Sequence, residues 1–159
     1  TEVDRPAVLE DLRQALYASK ICAYAQGFNL LEEAGKVYGW DLQMGRIAKI
    51  WRSGCIIRAR FLDTVSEIFE KENGMTNLLA SGYFSQVLYG TRTGWGRIIS
   101  LAVERGAAVP ALSSALAYFD SYRTARGSAN LLQAQRDCFG AHTYERIDKE
   151  GAFHTDWMN

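Results

Sequence analysis

The sequence predicts an all-α fold of several helices that ends in an irregular C-terminal tail. Three observations carry this expectation. Apolar residues recur at steps of three and four along most of the chain. No stretch alternates apolar and polar strongly enough to build a sheet. Gly, Pro, Asp and Ser punctuate the chain where one helical run stops and the next begins.

Asp4 is placed to cap the first helix, with Pro6 in its first turn, where a missing N–H does no harm. Val8, Leu9, Leu12, Leu16, Tyr17, Ile21, Tyr24, Phe28 and Leu31 then mark one face of a long helix that stops near Gly35 or Gly39. Asp41 is the candidate cap of a shorter helix carrying Leu42, Met44, Ile47, Ile50 and Trp51, broken at Ser53-Gly54. A third helix is expected over 57–71, with Phe61, Leu62, Val65, Ile68 and Phe69 inward and Glu72-Asn73-Gly74 as its stop. Residues 77–80 read as a short helix punctuated by Gly82, and 84–104 as a long one. Gly in a helix interior costs about 1 kcal/mol against Ala. Gly90, Gly94 and Gly96 therefore point to a kink or to close approach of another backbone. Pro110 opens a helix through Arg123, with Leu112, Leu116, Tyr118, Phe119 and Tyr122 apolar. Gly127-Ser128 is a turn, and 129–139 is the last helix before the chain becomes irregular at Gly140.

The 159 residues fit a single helical domain, 1–159, with 140–159 as its tail. Such a length buries roughly two-thirds of its unfolded surface, enough for a real core. Lys+Arg and Asp+Glu are both 18, so no basic excess favours nucleic acid or an anionic membrane as partner. No apolar run approaches the roughly 18 residues that a membrane span needs. Cys22, Cys55 and Cys138 are odd in number and form no CxxC pair, which fits a reducing, cytoplasmic setting.

Cofactor and metal motifs are absent. There is no G-x-G-x-x-G and no Walker-type loop; Gly94-Trp95-Gly96 lacks the third Gly, and Trp95 would crowd a phosphate. The histidines are His142 and His154, without the paired spacings that a metal needs. Cys138 and His142 are four apart with Gly140 between them, and Cys138 reads as a small packed residue rather than a nucleophile.

Chemistry concentrates in 129–145, where an amphipathic helix leads into Arg136, His142 and Tyr144. On an unbroken helix Arg136 and His142 would stand about 120° apart. A break at Gly140 would let His142 turn back towards Arg136. A guanidinium fork suits a phosphate dianion, and a neutral imidazole can donate to and accept from sugar hydroxyls. The alternative is an Arg136 on a solvated face and a His142 in a terminal turn. Asn130, Gln133 and Gln135 could contact a ligand or satisfy helix ends. Arg52, Arg58 and Arg60 could form a basic pocket, or pair with Asp63 or Glu67.

Several stretches together resemble the 6-phosphogluconate dehydrogenase family. They are 15–28, 51–58 and 115–123, with the runs Gln133-Ala134-Gln135-Arg136-Asp137, Gly140-Ala141-His142-Thr143-Tyr144-Glu145 and Phe153-His154-Thr155-Asp156-Trp157. They span nearly the whole chain in the family's order. The resemblance implies an all-helical C-terminal domain that forms most of a homodimer interface and reaches over the partner's active site. Arg136 would bind the phosphate of 6-phosphogluconate, and His142 would contact the substrate chain, both in trans. The complete enzyme would oxidise and decarboxylate 6-phosphogluconate to ribulose 5-phosphate. NADP, or less often NAD, would be held by a Rossmann domain upstream, and the catalytic Lys and Glu would also lie upstream, in the first part of the helical domain. No catalytic or cofactor-binding residue is therefore expected on this chain, which alone would be inactive. Two positions depart from the pattern: Cys138 stands where Tyr is common, and Ser128 where Pro is common. Two other readings stay open, a non-catalytic helical assembly module and a related sugar-acid dehydrogenase with another substrate.

Overall fold

A computed structural model describes residues 4–52, 56–57, 59–72 and 74–158. It is helical almost throughout: α1 (Arg5–Tyr38), α2 (Met44–Arg52), α3 (Phe61–Lys71), a 3-10 turn (Leu78–Ala80), α4 (Gly82–Glu104), α5 (Pro110–Tyr122) and α6 (Ala129–Gly140). The strands among the described residues are β1 (Tyr144–Glu145) and β2 (Ala152–Phe153), paired antiparallel with Tyr144 opposite Phe153. The all-α expectation holds. The chain forms two compact units, Thr1–Phe119 and Asp120–Asn159.

The first unit is organised by α1 against α4. Asp4 caps α1, its carboxylate accepting from Ala7 N at 3.3 Å, and Gly39 ends it in the left-handed region at φ 68°. Most of the face that spacing predicts for α1 turns inward: Ile21 and Phe28 are buried, and Val8, Leu12, Tyr17, Tyr24 and Leu31 pack against the core, but the buried strip is shifted towards small residues. Leu9 and Leu16 are each 56% exposed, while Ala15, Ala18, Cys22 and Ala25 are fully buried beside Ile21 and Phe28. Small side chains let two helices approach closely, and α4 answers with Gly94. A Cβ there would meet Asp11 Oδ1 at 2.6 Å and Gln14 Oε1 at 2.7 Å. Gly94 thus makes room for α1, whereas a Cβ at Gly90 would meet nothing within 4 Å. Next to this contact Arg97 donates to both Asp11 oxygens, at 2.7 and 2.6 Å. The guanidinium holds the Asp11 carboxyl below its ordinary value, against the opposing effect of burial. Trp95 is fully buried and donates its indole N–H to Leu112 O at 3.2 Å.

The second contact of this unit is α2 on α3. Gly45 lies against the Ser66 backbone, and Ser66 Oγ donates to Gly45 O at 3.0 Å. Phe28 and Tyr24 of α1 pack on Trp51, Phe61 and Phe69 with ring centroids 4.6–6.2 Å apart. Burial of such rings dominates the energetics of a core.

Several helix starts differ from the sequence expectation. Asp41 accepts from the Gln43 side chain at 2.9 Å, and α2 begins only at Met44. α3 begins at Phe61 rather than 57; Ile56 and Ile57 are exposed in a turn. α4 begins at Gly82 rather than 84, directly after the short turn, because Ser81 accepts from Phe84 N at 3.2 Å and caps that helix. The Ser53-Gly54 break, Cys55, Arg58 and Asn73 lie outside the described residues.

Candidate functional site

The second unit is built around α6, and its buried residue is charged. Asp137 is fully buried, whereas Leu131, Leu132 and Phe139 are 72%, 60% and 71% exposed. The amphipathic helix of the sequence reading therefore turns its apolar side chains outward in this unit. Ser128 provides no side-chain cap for α6; Leu131 N donates to Asn130 Oδ1 at 2.8 Å instead.

Asp137 collects four donors. Oδ1 accepts from Thr143 N at 2.9 Å and lies 2.9 Å from His154 Nδ1. Oδ2 accepts from Thr155 N at 3.0 Å and from the Trp157 indole N–H at 2.8 Å. With the carboxylate ionised, His154 Nδ1 carries the proton and donates. Burial raises the carboxyl's pKa, but the four N–H donors outweigh it and hold the group well below the usual carboxylate range. Residues 141–158 are thus not a loose end: Asp137 anchors them at four residues, and β1 with β2 closes the intervening loop. Tyr144 contributes to that anchoring, with its hydroxyl 2.5 Å from Thr155 Oγ1 and its ring against Phe153.

Gly140 has a different part from the break that the sequence suggested. It is the last residue of α6, and the chain reverses at Ala141, in the left-handed region at φ 50°. What Gly140 provides is space. A Cβ on it would lie 2.8 Å from His142 Nε2 and 2.9 Å from His142 Cδ2. The imidazole occupies the volume of the missing side chain, edge-on to Phe139 with centroids 5.7 Å apart.

This places His142 relative to Arg136. Positions 136 and 140 are one turn apart, about 40° around the helix, and so share a face. His142, seated over Gly140, therefore stands on the face that carries Arg136. Both side chains belong to exposed residues. Arg136 Nη1 donates to Gln133 Oε1 at a long 3.4 Å, and the Gln133 amide donates to Thr143 O at 2.6 Å. An exposed guanidinium with an imidazole one turn away can take a phosphate and an adjacent hydroxyl.

Three of the other candidates, Asn130, Gln133 and Arg52, have partners within the fold. Gln133 serves the backbone at Thr143, and Asn130 serves α6. With Ala134, Tyr144, Glu145 and Trp157 these two line a cavity of about 300 Å³. Cys138 is exposed, not packed, because the buried face of α6 is the one bearing Asp137. Arg52 pairs with Asp63 at 2.6 Å, as the ion-pair alternative predicted. Among the described residues no group of His, Cys, Asp and Glu could hold a metal ion, and no helix is long and apolar enough to cross a membrane.

Sequence reasoning missed Asp137 and its donors. The one local signal was an Asp inside a helix, a residue type that competes there with the backbone. Nothing in spacing joins position 137 to 155 and 157.

Comparison with known proteins shows the family of the chain as a whole. Residues 1–157 match the family described as 6-phosphogluconate dehydrogenase, C-terminal domain. The chain is 54% identical over 155 residues to the NADP(+)-dependent, decarboxylating 6-phosphogluconate dehydrogenase of Bacillus subtilis, covering 98% of this chain and 33% of the relative. It is 50% identical over 156 residues to 6-phosphogluconate dehydrogenase, decarboxylating 1, of Oryza sativa subsp. japonica, covering 98% and 32%. Among solved structures, Plasmodium falciparum 6-phosphogluconate dehydrogenase, studied in apo form and in complex with NADP+ and with 6-phosphogluconate, aligns with a TM-score of 0.93 at 39% identity. That alignment covers 98% of this chain and 33% of the other. The chain thus spans about a third of the length of the relatives it matches.

Proposed function

Because the chain belongs to the 6-phosphogluconate dehydrogenase C-terminal domain family, we propose that it is the substrate-binding and dimerisation part of an NADP-dependent, decarboxylating 6-phosphogluconate dehydrogenase. The complete enzyme converts 6-phosphogluconate to ribulose 5-phosphate and CO2. Arg136 binds the substrate phosphate and His142 hydrogen-bonds the substrate chain, both offered to the active site of the partner subunit. The observation that carries this reading is the seating of exposed His142 over Gly140, on the side of α6 from which exposed Arg136 projects. The outward-facing Leu131, Leu132 and Phe139 support a helix that docks on another surface.

The described residues do not fit a dinucleotide. Their strands are two residues long, and no Gly-rich strand-to-helix turn is present. NADP and the proton-transferring groups belong to another part of the enzyme. The contribution of this chain is binding energy and orientation at the reacting carbon.

Arg136→Ala in the complete enzyme tests the assignment. Removing a charge-assisted phosphate contact is expected to weaken substrate binding by roughly 2–4 kcal/mol. An unchanged Michaelis constant for 6-phosphogluconate would remove Arg136 from the site.

A further inference from the structure

His142 lies between two non-glycine residues in the left-handed region, Ala141 at φ 50° and Thr143 at φ 61°. A β-branched residue there is a genuine outlier. Such conformations persist only where the surroundings over-determine them. Here α6 supplies the surroundings. Ala141 N donates to Asp137 O at 2.8 Å, and Thr143 N donates to Asp137 Oδ1 at 2.9 Å. Gln133 Nε2 donates to Thr143 O at 2.6 Å. The strained tripeptide is gripped at both ends, and the bend this enforces lays the imidazole over Gly140, on the face of Arg136.

We propose that Asp137 is a positioning residue for substrate binding: it holds the bend at 141–143 so that His142 faces the same ligand as Arg136. Its side chain is fully buried, so it acts through His142 and not on the substrate. Its second oxygen ties Thr155 and Trp157 to the same helix, which makes the placement of His142 and the docking of the C-terminal segment depend on one carboxylate. The inference rests on the substrate reading of Arg136 and His142 given above.

Asp137→Asn in the complete dehydrogenase is the test. Each Asp137 oxygen faces two N–H groups, so either orientation of the new amide turns an NH2 towards donors. The Michaelis constant for 6-phosphogluconate is expected to rise about 3- to 10-fold, from loss of a positioned hydrogen bond. The constant for NADP and kcat should each change less than about 2-fold, because the interaction lost is a substrate-binding one. In a His142→Ala background Asp137→Asn should add less than about 2-fold, since the two act as one unit. Thr143→Gly added to Asp137→Asn should recover part of the loss, because glycine adopts the left-handed conformation without strain. A role in holding the C-terminal segment alone would show no such recovery.

The proposal is overturned if Asp137→Asn raises the Michaelis constant equally with and without His142, or if it lowers kcat alone. It is also overturned if the variant leaves binding intact where His142→Ala weakens it. Should His142→Ala itself change nothing, the substrate reading fails instead. A crystal structure of Asp137→Asn then decides the positioning claim: a ring displaced from Gly140 upholds it, and a ring still seated there refutes it. If Asp137→Asn does not fold, Gln133→Ala removes the other grip and leaves the carboxylate in place. It should raise the Michaelis constant about 2- to 3-fold, as for one neutral hydrogen bond, and only while His142 is present. A rise that persists without His142 would refute the proposal.

Discussion

Gly140→Ala separates the binding role of α6 from its stability. The added Cβ would lie 2.8 Å from His142 Nε2 and 2.9 Å from Cδ2, closer than real Cβ atoms come to any neighbour. The atoms in the way belong to the movable ring of His142, so the ring and not the helix gives way. The backbone at 140 is helical, and Ala is preferred to Gly by up to about 1 kcal/mol inside a helix. At the last helical residue the gain is smaller, so global stability should stay within about 0.5 kcal/mol of the parent. Binding should not. A hydrogen bond from the imidazole to the substrate contributes about 0.5–1.5 kcal/mol, so its loss should raise the Michaelis constant about 2- to 13-fold. Steady-state kinetics of the complete enzyme, with 6-phosphogluconate varied at saturating NADP, measure this beside a thermal melt. An unchanged Michaelis constant in a variant whose crystal structure shows the ring displaced would exclude His142 from the substrate site. A ring that stays in place would refute the account of Gly140.

Trp95→Ala should destabilise the first unit by about 3–5 kcal/mol, the usual cost of emptying a buried aromatic site; a urea-denaturation loss below about 1 kcal/mol would contradict its place in the core. Asp11 and Asp137 both have folded-state pKa values depressed below the ordinary 3.8. Their stabilisation is therefore complete above that pH and is lost as pH falls through it towards the folded-state values. Urea midpoints should drop below pH 4, and Asp11→Asn should flatten that drop; an equally steep acid limb in the variant would show that the Arg97 pair is not its source. The chain by itself should reduce no NADP in the presence of 6-phosphogluconate, and measurable turnover would place catalytic groups on these residues.

The sequence by itself determined the helices, since a step of three or four apolar residues is a property of the local chain. It also determined Asp4 as the start of α1 and narrowed its end to Gly35 or Gly39, because a cap needs only its own few neighbours; the structure puts the end at Gly39. Arg136 and His142 were readable as residue types suited to a phosphate and a hydroxyl, and as parts of runs that resemble a known family. The apolar spacing found most of the inward face of α1, but not that Ala15, Ala18, Cys22 and Ala25 are its most deeply buried strip: Gly94 of α4 lets Asp11 and Gln14 come close, and periodicity counts large apolar residues without knowing the partner. The seating of His142 over Gly140, on the side of α6 that carries Arg136, was likewise decided only in three dimensions. It depends on Ala141 and Thr143 accepting positive φ, on an empty side-chain position at Gly140, and on a buried carboxylate whose donors lie up to 20 residues away. Bonds of that range leave no period in a sequence, because burial and hydrogen bonding act through space while propensity acts along the chain.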